Sequence, residues 1–106
     1  MLKQGIYKAE NDDNIYNSYE IVMEVKETEK SFIFKLIKLE SQYNADHIRW
    51  LFSKSNKVII RKQHSGHAMR IWGDDDFTIY PYQAGIPFYF QLMKDGYSEG
   101  EKENAV

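Results

Sequence analysis

The chain has 106 residues, a formal net charge of −2, 42% apolar and 15% aromatic residues, and no cysteine. That length buries one modest core and leaves no room for a second. The absence of thiols excludes disulfides and thiolate metal sites and favours a reducing compartment. No apolar run approaches a membrane span, and Met1-Leu2-Lys3-Gln4-Gly5 lacks the apolar stretch of a signal peptide. A cytoplasmic protein without a membrane partner is therefore expected.

Gly5 to Ala9 reads as a short first strand, followed by an Asn- and Asp-rich loop or wide turn from Glu10 to Ser18. From Tyr19 to Glu27 the pattern alternates: Tyr19, Ile21, Met23 and Val25 point one way, Glu20, Glu24 and Lys26 the other. This is a half-buried strand. Thr28 to Ser31 is a polar turn, and Phe32 to Leu39 returns as the second arm of an antiparallel hairpin, its apolar run broken by Lys35 and Lys38. Ser41 to Phe52 is the one helix predicted. Asn44 suits its cap, Asp46 its positive end, and Ile48, Leu51 and Phe52 give an apolar face.

Val58 to Gln63 and Ala68 to Trp72 are β-prone runs joined by His64-Ser65-Gly66-His67. Ser65-Gly66 suits a two-residue hairpin loop, although Asn-Gly or Asp-Gly would be a stronger signal. That register sets His64 opposite His67, Lys62 opposite Met69 and Arg61 opposite Arg70. After the Gly73–Asp76 turn, Phe77 to Tyr82 and Pro87 to Met93 read as two more strands around Gln83-Ala84-Gly85. Pro81 and Pro87 confine them to edges or interruptions. The expected fold is α+β, mostly β: a small antiparallel sheet or partly open barrel of six to seven strands with one short helix. The first elements follow the β-β-β-α-β-β order of an OB-fold. Residues 1–94 form the domain, and the acidic residues 95–106 a flexible tail.

Charge is strongly segregated. Between His47 and Gly73 lie six basic residues (Arg49, Lys54, Lys57, Arg61, Lys62, Arg70), no acid, all three histidines and both tryptophans. Both flanks are acidic, and such asymmetry concerns partners more than fold. Three chemistries are open to this block. Opposed Arg61 and Arg70, beside Trp72, would repel each other unless a carboxylate or phosphate bridged them; with Lys62, Tyr80 and Tyr82 they form the candidate protein-binding surface. The cations and interleaved aromatics of residues 49–72 would also suit single-stranded nucleic acid, although the acidic flanks oppose a polyanion. His64 and His67, facing across the turn, could share Zn²⁺ if further ligands arrived, with Asp74–Asp76 about 17 Å away at the far end of the hairpin. No phosphate loop, nucleophile elbow or zinc-protease helix motif occurs, so a non-enzymatic protein is expected.

No motif identifies a family. In size, in the lack of cysteine and in Lys/Asn/Ile/Tyr-rich stretches such as Asn11-Asp12-Asp13-Asn14-Ile15-Tyr16-Asn17, the chain resembles small proteins carried by phages and mobile elements of low-GC bacteria. Some of those inhibit host nucleases, the anti-CRISPR proteins among them. The resemblance implies a stoichiometric binder in the cytoplasm of a bacterial host, acting by occupying a partner's surface.

Overall fold

The computed structural model describes residues 1–11, 18–42, 45–62, 69–80 and 86–94. They form seven strands and one helix: β1 (Gly5–Asn11), β2 (Tyr19–Glu27), β3 (Ser31–Ser41), α1 (Asp46–Leu51), β4 (Lys57–Arg61), β5 (Met69–Ile71), β6 (Asp76–Ile79) and β7 (Phe88–Leu92). The element order is the one read from the sequence. All pairings are antiparallel, in a single sheet ordered β4-β3-β2-β1-β7-β6-β5. Two meanders, β1 to β4 and β5 to β7, are thus stitched together where β7 docks on β1.

This order separates β4 from β5, which sit at opposite edges of the sheet. Among the described residues, therefore, β4 and β5 do not form the expected hairpin. Arg61 lies opposite Ser31 on β3, and Arg70 opposite Thr78 on β6. The sheet curls into a half-barrel.

The concave face holds the core. Alternate residues of every long strand enter it: Tyr7 and Ala9, Ile21, Met23 and Val25, Phe32 and Phe34, Phe77 and Ile79, Phe88 and Phe90. Its aromatic centre is Phe77, whose ring lies 5.2 Å from Tyr7, 5.3 Å from Phe34 and 4.8 Å from Phe90, centroid to centroid. One ring thereby joins the two meanders. The helix is much shorter than predicted, because Ser41 is still paired with Tyr19 as the last residue of β3. Ala45 caps it without a side-chain hydrogen bond, and so short a helix is unstable alone. Burial of Ala45 and Ile48 in the core holds it. Asn44, the expected cap, lies outside the described residues.

Two local devices shape the sheet. At the start of β1, Gly5 has φ +148°, a backbone conformation that suits glycine, and a Cβ there would also press on the Leu92 side chain, 2.7 Å from Cδ1. In β3 the register shifts: Val22 faces Lys38 while Met23 faces Leu36, leaving Ile37 as the extra residue of a bulge. The bulge turns Lys38 away from the core, where strict alternation would have put it. On the convex face Lys8 and Lys38 then flank Val22, which is fully buried. Their stems cover it while their ammonium groups reach acids.

Candidate functional site

The convex face of the sheet carries the candidate site residues, and its two edges differ. At the β5 edge, Trp72 donates from Nε1 to Thr78 Oγ1 at 2.7 Å. Arg70, two residues away on the same face, lays its guanidinium 3.9 Å above the Trp72 ring. Thr78 is nearly buried beneath them. On β7, Tyr89 lies opposite Thr78 and donates its hydroxyl to Asp76 Oδ2, a bond that pushes the Tyr89 pKa up because ionisation would set two anions together. Trp72 and Tyr89 remain 49% and 44% exposed, although each has its polar atom engaged. The result is an ordered surface of Arg, Trp and Tyr.

A polar cleft of about 520 Å³ continues this surface, lined by Lys8, Glu10, Asn11, Tyr19, Tyr89 and Gln91 among others. It opens where β1 and β7 part, since their pairing covers only Tyr7 and Lys8 against Leu92 and Gln91. Lys8 at its wall is ion-paired with Glu10 at 3.0 Å and Glu20 at 3.1 Å. Lys38 pairs with Glu20 as well. These neighbours hold the Glu20 carboxyl below its ordinary pKa, Lys38 most of all, and raise that of Lys8, chiefly through Glu10. The cleft is therefore close to neutral.

The β4 edge is basic and bare. Lys57, Ile59 and Arg61 are exposed on the convex face, while Val58 and Ile60 turn inward. Lys57 lies opposite Lys35, and neither of them, nor Arg61, has an ion pair among the described residues. Lys62, expected in the binding surface, is committed within the chain: it pairs with Glu27 at 2.5 Å and lies 5.4 Å from the Phe32 ring centroid.

The expected site residues are thus divided. Arg70 and Trp72 come together, Arg61 goes to the other edge, and Tyr80 is half-buried just beyond β6. Tyr82, His64 and His67 lie outside the described residues. The β4 and β5 strands that were expected to set those histidines opposite each other are not paired. Among the described residues no three His, Cys, Asp or Glu side chains cluster as metal ligands. The Asp74–Asp76 turn has other work. Asp74 takes the Met1 ammonium at 3.1 Å, its carbonyl oxygen accepts from Lys3 N–H at 2.7 Å, and the Asp75 carbonyl accepts from Leu92 N–H at 2.8 Å.

Sequence reasoning missed Tyr89, Thr78 and Asp76. Alternation alone could have found them: Thr78 falls between Phe77 and Ile79, and Tyr89 between Phe88 and Phe90, so both had to leave the core face. No family model matches the chain, and no curated protein or solved structure matches it either. Among the described residues no helix is long and apolar enough to cross a membrane.

Proposed function

We propose that this chain is a non-catalytic protein-binding module whose contact surface is the convex face at β5–β7, centred on Arg70, Trp72 and Tyr89. The observation that carries this reading is the pre-ordering of half-exposed aromatics. Trp72 is fixed by Thr78 and covered by Arg70, and Tyr89 is fixed by Asp76. Trp, Tyr and Arg dominate interface hot spots, and side chains already held in place lose little entropy when a partner covers them. Single-strand binding is less well served. It calls for aromatics interleaved with cations, whereas here Trp72 and Tyr89 stand beside Asp74–Asp76, and the β4 cations, which have no ion pair among the described residues, lie at the other edge. Inhibition of a host nucleic-acid-processing enzyme is the sharpest form of the proposal and draws on the compositional resemblance.

The test is affinity capture from a nuclease-treated bacterial lysate with three baits: the native chain, Arg70→Glu with Trp72→Ala, and Lys57→Glu with Arg61→Glu. One stoichiometric protein held by the native chain and lost from the Arg70/Trp72 variant is expected. Retention by that variant would move the site elsewhere. Capture that disappears on nuclease treatment would favour a nucleic-acid surface.

A further inference from the structure

The outer edge of β4 presents backbone groups that no described strand uses, in a defined phase. Leu36 N–H donates to Asn56 O at 2.8 Å and Lys62 N–H to Lys30 O at 2.9 Å. With the β3–β4 register, these bonds direct the N–H and C=O of Val58 and Ile60 toward β3. The groups of Lys57, Ile59 and Arg61 point outward. The Lys57 N–H is taken by Ser55 Oγ at 3.2 Å, which leaves Ile59 and Arg61 with both groups outward. No described strand pairs with this edge. On the convex side, Ile59 is 68% exposed beside Ile33, and it is framed by Lys57 and Arg61 with Lys35 behind.

We propose that β4 is a strand-acceptor edge for an extended acidic segment of a partner protein, with an acid two residues to either side of an apolar residue. Added antiparallel about Ile59, such a segment would place its apolar residue beside Ile59 and its two carboxylates opposite Lys57 and Arg61. Opposite charges facing each other across strands stabilise the pairing, and like charges oppose it. The same rule excludes a second copy of this chain. In a β4–β4 pair centred on Ile59, each Lys57 would face the other copy's Arg61. Lys and Arg on an edge are a known guard against self-association; here the guard leaves a vacancy of one polarity. This site is separate from the surface at β5–β7 and does not depend on it.

The test uses the full chain and two synthetic peptides, one with Glu-Thr-Val-Thr-Glu at its centre and one with Lys-Thr-Val-Thr-Lys. The acidic peptide should bind, should weaken as salt rises, and should protect the Ile59 and Arg61 amides from hydrogen exchange. Lys57→Glu with Arg61→Glu should reverse the preference, weakening the acidic peptide by about tenfold or more. Ile59→Pro removes an outward N–H without touching the bonds to β3, so it should spare the fold and abolish binding. Three results would each overturn the proposal: equal affinity for both peptides, binding that survives Ile59→Pro in a folded chain, or a concentration-dependent dimer whose β4 amides are protected.

Discussion

The two edges of the sheet are drawn from one basic stretch of sequence and come to opposite ends. β5 is three residues long, and its Arg70 is spent on Trp72, which in turn is held by Thr78. β4 is five residues long, and its Lys57 and Arg61 face solvent with no carboxylate paired to them among the described residues. A run of like charge is therefore not one surface. Neighbours across the sheet decide whether each cation is internal equipment or an open valence, and those neighbours are set by strand order rather than by position along the chain.

The sharpest way to break that comparison is to remove what both edges share. Phe77→Ala deletes the ring that touches Tyr7, Phe34 and Phe90, and so the packing between the two meanders. Truncating a fully buried Phe costs about 3–5 kcal/mol. A urea titration should show a lower midpoint in one cooperative step. A loss under about 1 kcal/mol would mean that the meanders are stable separately. Next in size is Thr78→Val, which keeps the shape and deletes the acceptor of the Trp72 N–H. Because Trp72 is half-exposed, water replaces part of the bond, and about 1 kcal/mol is expected. Hydrogen exchange should quicken at β5 and stay unchanged at β4; faster exchange at both would show that the edges are coupled.

Much of this was legible. The β2–β3 hairpin and the β6–β7 pair follow from alternation and turns, and so do the shared core faces of Ile21, Met23 and Val25 and of Phe77 and Ile79. The β4–β5 hairpin misled because Ser65-Gly66 between two β-prone runs suits a two-residue turn, whereas β4 pairs back with β3 across the helix and β5 with the next strand, β6. A warning was present. The expected register opposed Arg61 to Arg70, and like charges face to face argue against a register before they argue for a ligand. Lys35 and Lys38 were a second unread signal: an odd spacing of polar residues in a strand exposed on one face requires a bulge. The brevity of α1 was not legible, since the Ser41–Phe52 pattern carries no mark of where β3 stops.

The smallest expected effect concerns how the β4 side stays docked on the β5–β7 side. His47 reaches from α1 to stack on Phe88 of β7, ring centroids 5.0 Å apart and 13° from parallel, and its buried Nε2 has no hydrogen-bond partner among the described residues. Burial pushes its pKa below the ordinary 6.5, with Asp46 opposing more weakly. As pH falls, the unfolded chain therefore takes up this proton before the folded one does. The stabilisation is complete above about pH 6.5 and declines as pH drops through the lower folded-state value. Glu20, whose carboxyl is also held low, loses its contribution only at more acid pH, below its ordinary 4.5, so the two windows separate. His47→Phe preserves the stack and removes the titration. Its melting temperature should fall less than that of the native chain between about pH 7 and pH 5. Parallel curves would mean that water reaches Nε2 in the folded chain and that burial does not hold this imidazole neutral.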